Sequence, residues 1–165
     1  MKNKTTKSQF AAIVLSAGLL CATTANATPV SALGGQVVND TDLNITWLAN
    51  ANLAASNTFG VSGINANGTM DWDLAKLWIA AMNTANYLGY NDWHLPTVTD
   101  TGTSGCNFAN SGTDCGYNVD TDTGEMAHLF YDELGNKAFR DTSGATQSGY
   151  GLTSTGPFSN FQYTS

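Results

Sequence analysis

Positive charge is scarce in this chain. Six Lys and Arg stand against thirteen Asp and Glu among 165 residues. No basic patch exists to neutralise a phosphate backbone, so nucleic acid is excluded as a partner. Charged residues make up only 12% of the chain, too few for a coiled coil or for long solvated helices. Histidine occurs twice, and neither His-Glu-x-x-His nor Gly-x-Ser-x-Gly is present. The usual patterns of catalytic zinc and of an activated serine are therefore lacking, and we read the protein as no enzyme. The longest apolar run, Phe10 to Cys21, spans about a dozen residues, too short to cross some 30 Å of hydrocarbon. What the chain has instead is 17 Gly with much Asn, Thr, Ser and Asp, together with four Trp and 42% hydrophobic residues. That suffices for one core and one domain, built from short strands, turns and ordered loops.

The first segment reads as an address. Lys2, Lys4 and Lys7 precede the apolar run, and Ala25-Asn26-Ala27 follows as a small-x-small cleavage site, the three-part form of a secretory signal peptide. Residues 1–27 are expected to be removed by the Sec route, leaving the mature protein periplasmic, on the cell surface or extracellular, with no membrane insertion. Three remaining bases against thirteen acids then give a net charge of −10. Cys21 departs with the signal. Cys106 and Cys115 remain, in a polar loop of an exported chain, and are expected to form a disulfide.

Along the mature chain, residues 28–34 read as a short leader. Gln36-Val37-Val38 and Leu43 to Leu48 alternate apolar and polar residues around the turn cluster Asn39-Asp40-Thr41-Asp42, which predicts a β-hairpin. Residues 49–70 read as a long ordered loop. Asp71 is placed to cap a helix whose buried face is Leu74, Leu77, Trp78, Ala81, Ala85 and Leu88, with Gly89 as its stop. Trp93 and Leu95 alternate with polar residues before Pro96, which predicts an extended segment entering the core. Residues 98–121 read as a second long loop. A second helix is expected from Asp122, with Glu125 in a capping-box relation, a buried stripe of Met126, Leu129, Phe130 and Leu134, and Gly135 as its end.

Taken together, Thr46-Trp47-Leu48, Met70-Asp71-Trp72-Asp73-Leu74-Ala75, Gly89 to Thr97 with Trp93, Leu95 and Pro96, and Glu125 to Asn136 occur in an order and at spacings that carry a resemblance. The stretch from Gly35 to Phe161 resembles a bacterial domain of unknown function named after the C-terminal domain of the Legionella collagen-like adhesin. The resemblance implies an α+β fold of the C-type lectin-like type, similar to the formylglycine-generating-enzyme relatives, with two helices on a small antiparallel sheet. The usual basic residue before Leu-Pro is His94 here. Members often end in a Pro-Glu-Pro sorting signal with a membrane helix and basic tail, and normally continue into closing aromatic strands. The 165 residues are accordingly expected to be an N-terminal portion of a longer protein.

The chemistry legible in the residues is that of binding. Asn118-x-Asp120-x-Asp122 sets oxygen ligands at alternate positions, like the opening of a calcium loop, but the glycine falls late and Leu129 stands where an EF-hand needs Glu. Calcium at Asn118, Asp120 and Asp122 is retained as a cofactor expectation, beside turn and cap chemistry for the same side chains. His128 reads as a partly buried structural histidine and His94 as a surface one. Trp47, Trp78 and Trp93 read as core, and Trp72 as the exposed candidate for stacking on a sugar. The expected role is a non-catalytic binding or adhesion module for a polysaccharide or a cell-surface or matrix ligand. The alternative is a structural component of the envelope or matrix with no discrete ligand.

Overall fold

The structure is a computed structural model, and it describes residues 28–97, 119, 121–122 and 124–162. The signal-peptide reading and the Cys106–Cys115 pairing fall outside the described residues, as do Asn118 and Asp120.

Three strands form one antiparallel sheet in the order of the chain: β1 (Val30–Ala32), β2 (Val37–Asp40) and β3 (Ile45–Leu48). The predicted hairpin is β2–β3, with Val37 opposite Leu48 and Asp40 opposite Ile45. Its loop lies two residues later than the turn cluster suggested. Asn39 and Asp40 stay in the strand, and the reversal occupies residues 41–44. Asp40 makes this possible, because its Oδ1 accepts from the N–H of Asp42 (3.1 Å) and of Leu43 (2.9 Å), an Asx turn. Asn44 then takes the left-handed conformation, at φ 54°. The expected leader is in part a strand. Val30 pairs with Asn39 and Ala32 with Val37, which makes β2 the central strand and explains why Val37 and Val38, on opposite faces, are both fully buried.

The long loop after β3 is ordered by a turn of 3-10 helix at Leu53–Ala55. Gly68 sits under that turn, at φ 85°, where a Cβ would collide with Asn52 Oδ1. The main helix, α1, spans Trp72–Thr84. Asp71 caps it as predicted, its Oδ1 accepting from Leu74 N–H at 2.8 Å. Two expectations for α1 are corrected. It stops before Gly89, because Asn86 adopts the left-handed conformation at φ 49° and breaks the helical path. Its buried stripe is also rotated from the predicted one: Trp78 and Met82 are buried, while Leu77 is 60% exposed. The shift follows from the loop over which α1 lies. Leu53, Ala54, Trp78 and Met82 form the core cluster, with Phe59, Ile64, Met70, Tyr87 and Trp93 packed round it.

The second helix begins later than expected. A single turn, α2 (Glu125–Ala127), leads directly into a π-helix over His128–Glu133. Gly124 occupies the N-cap position with no side-chain cap bond, so the capping box does not form. Met126, assigned to the buried stripe, is 50% exposed, while Ala127 and Leu129 are buried. Gly135 ends the element at φ 65°. The α+β class holds, with two helices beside a three-stranded antiparallel sheet. No helix among the described residues is long and apolar enough to cross a membrane.

Candidate functional site

The extended segment after α1 is held in place by one amide. Asn83 donates from Nδ2 to the carbonyl of Trp93 and accepts at Oδ1 from its N–H, both at 2.8 Å. The indole N–H of Trp93 donates to Tyr87 O at 3.2 Å, and Tyr90 meets the Trp93 ring edge-on at 5.4 Å. Residues 90–96 are thereby pinned across β3, and a cleft of about 210 Å³ opens between them. One wall is Asn44 to Trp47. The other is Tyr90, Asp92, Trp93, His94 and Pro96, with Glu125 of α2 closing one end. Trp47, Trp93, His94 and Pro96 also border a neighbouring hollow of about 330 Å³, whose further lining includes Leu48, Leu53, Trp78, Leu95 and Met126.

Glu125 is the polar anchor of this cleft. Instead of capping its own helix, it accepts from Thr97 N–H at 2.7 Å and meets His94 Nε2 at 3.1 and 3.2 Å. Partial burial opposes its ionisation, but the Thr97 and His94 hydrogen bonds outweigh that, and its pKa lies below 4.5. The same pairing holds the His94 pKa above 6.5, against a smaller opposing effect of burial. The cleft thus presents aromatic faces, the hydrogen-bonded His94–Glu125 pair and the exposed Asp92.

The motif residues Trp47, Trp93, Pro96 and Glu125, far apart in sequence, meet in this cleft, and Leu95 lines its neighbour. Trp72 is exposed as predicted, at 66%, but borders neither hollow. Asp122 is exposed. His94 is a surface residue as expected, yet it is paired with a carboxylate that the sequence assigned to a helix cap.

A second constellation went unread in the sequence. Asp40, 2% exposed, lies at the end of β2. His128 and Glu133 reach towards it from the π-helix, and one ligand atom from each of the three lies within 4.8 Å of the others. Burial and the nearby charges of Asp40 and Asp42 raise the Glu133 pKa above its usual value, despite an opposing effect of His128. The missed signal is the five-residue spacing from His128 to Glu133, which an α-helix would place about 140° apart.

The fold and cleft together define a small α+β domain, with an aromatic groove edged by acid. The chain belongs to the Lcl C-terminal domain family, whose model matches residues 36–144, about two thirds of its length. That family is associated with extracellular adhesins, and membership is consistent with an adhesin-related module. No curated protein and no solved structure matches it.

Proposed function

We propose that the protein is an exported, non-catalytic binding module whose cleft receives saccharide units of an extracellular polysaccharide or matrix. The observation that carries this reading is the convergence of Trp47, Tyr90 and Trp93 with His94, Asp92 and Glu125 on one cleft of about 210 Å³. Aromatic faces cover the apolar side of a sugar ring, and a few fixed polar groups orient its hydroxyls. The mature charge of −10 favours neutral or amine-bearing sugars and opposes sulfated ones. Membership of an adhesin-related family and the signal-like first 27 residues support export. The lectin-like reading of the fold belongs to the same proposal.

The test is titration of the folded chain with neutral, amino and sulfated polysaccharides, followed by calorimetry. Trp93→Ala and Tyr90→Ala should each weaken binding by roughly tenfold or more, because truncating a central aromatic removes a binding hot spot. Trp72→Ala should leave it unchanged. Loss on Trp72→Ala alone would move the site to the start of α1. A folded protein that binds no polysaccharide but self-associates would instead support a structural role. The half-exposed Met126, beside an apolar hollow lined by Leu129, Phe130, Phe158 and Phe161, is the feature that favours that alternative.

A further inference from the structure

We propose that Asp40, His128 and Glu133 form a site for one divalent transition-metal ion of the zinc class. Three buried polar atoms of this cluster lack a hydrogen-bond partner among the described residues. Glu133 is buried to the point that its side chain is 1% exposed. Neither of its carboxylate oxygens has a hydrogen-bond partner among the described residues, and the same holds for His128 Nε2. A buried carboxylate without donors is strongly disfavoured, and a second buried carboxylate, Asp40, stands beside it. Such a pair calls for a cation.

The orientation of each group suits a metal. His128 Nδ1 faces the Thr121 carbonyl at 3.2 Å and Asp132 Oδ2 at 3.4 Å. Both oxygens only accept, so Nδ1 carries the proton and donates it to them. In the neutral imidazole Nε2 then keeps its lone pair, which faces the cluster 3.6 Å from Glu133 Oε1. This is the arrangement by which outer carbonyls and carboxylates fix a metal-binding imidazole. Asp40 is likewise held from behind, its Oδ1 by two backbone N–H groups. Among the described residues its Oδ2 meets only the indole N–H of Trp47, at a long 3.4 Å.

Spacing and charge agree. Tetrahedral ligands about 2.1 Å from zinc lie about 3.4 Å from one another. The Nε2–Oε1 distance already matches, and the 4.8 Å limit on the whole set requires only small side-chain movements. A dication balances the two carboxylates. The imidazole selects zinc or a similar ion over calcium, which takes oxygen ligands in greater number. The backbone is adapted as well. Leu134 N–H donates to Leu129 O across five residues, and this wider turn brings His128 and Glu133 to one side. Single π-turns of this kind concentrate at functional sites. The site uses other residues than Asn118, Asp120 and Asp122, those expected for calcium, and it does not rest on polysaccharide binding. It would staple the central strand to the π-helix and steady Trp47, which walls the cleft.

The experiment uses the untagged full chain, stripped with chelator and dialysed, then titrated with zinc, cobalt(II) and calcium. Metal content, cobalt absorption and melting temperature are the readouts. The expected result is one zinc per chain, cobalt bands of an imidazole–carboxylate site that zinc displaces, and a melting temperature raised by zinc but not by calcium. Glu133→Gln and His128→Gln should weaken uptake by roughly tenfold or more while circular dichroism stays unchanged. Both variants keep the cysteines, so zinc bound by thiols would survive the substitutions and overturn the proposal. Preference for calcium would overturn it too, as would wild-type protein that gives no cobalt bands. That last reading needs no variant to fold, and its outcome is an internal His128–Glu133 ion pair in place of a metal.

Discussion

His94 and Glu125 show what a single pair contributes to the cleft. His94 titrates above 6.5 because Glu125 accepts its hydrogen bond. Its share of the pair's stabilisation is therefore complete below about pH 6.5 and fades as pH rises through its folded-state value. Glu125 titrates below 4.5, so its share is complete above about pH 4.5 and is lost as pH falls through its lowered value. The pair is most cohesive between those limits. In Glu125→Gln the side chain keeps an acceptor for Thr97 N–H but loses its charge. The His94 midpoint, followed by NMR, should fall back towards 6.5. A midpoint that stays raised would mean that another group holds the proton. The sequence showed both residues but not the pair, because 31 positions and a long loop separate them.

At the scale of elements, α1 offers the sharpest contrast. Its existence and Asp71 cap are legible because apolar spacing and capping are local properties. The face it buries is not, because that depends on what lies over it. Leu77 and Met82 decide the point. Met82→Ala should destabilise the protein by about 2–5 kcal/mol, the usual cost of emptying a fully buried site. Leu77→Ala should change stability by no more than about 0.5 kcal/mol. Equilibrium denaturation measures both, and equal losses would restore the stripe that periodicity suggested. The second helix was less legible. Its π-register widens the turn, so a 3.6-residue period assigns Met126 to the interior when it is half exposed.

At the scale of the whole molecule, the C-terminal segment is tied back by hydrogen bonds. Ser159 N–H donates to Ala49 O, and Ala51 N–H donates to Ser159 O, which sets residue 159 beside the chain leaving β3. Asn136, 4% exposed, is the hub of that return. Its Oδ1 accepts from Thr153 N–H, Thr153 Oγ1 and Ser154 N–H, and its Nδ2 donates to Ser154 O. Asn136→Ala strands these groups and should cost about 1–3 kcal/mol. Limited proteolysis should then cut near residues 150–156 faster than in the wild type. Unchanged cleavage would mean that the bonds at Ser159 and the Gly151 N–H to Lys137 O bond suffice to hold the segment.

Features that depend on neighbours within a few residues were legible in the chain: the β2–β3 hairpin, the Asp71 cap and the exposure of Trp72. Its motif order also placed the chain in its family, since Trp47, Trp93, Leu95, Pro96 and Glu125 are read in line. Tertiary structure decided the rest. It turned part of the expected leader, Val30–Ala32, into an edge strand, since a strand forms only where a partner offers its free hydrogen-bonding edge. It assembled the motif residues into a cleft and drew Glu125 away from its helix. It also brought Asp40 to His128 and Glu133 across some ninety residues. Side chains that distant become neighbours only when burial of the core closes the loops between them, and no local period records that distance.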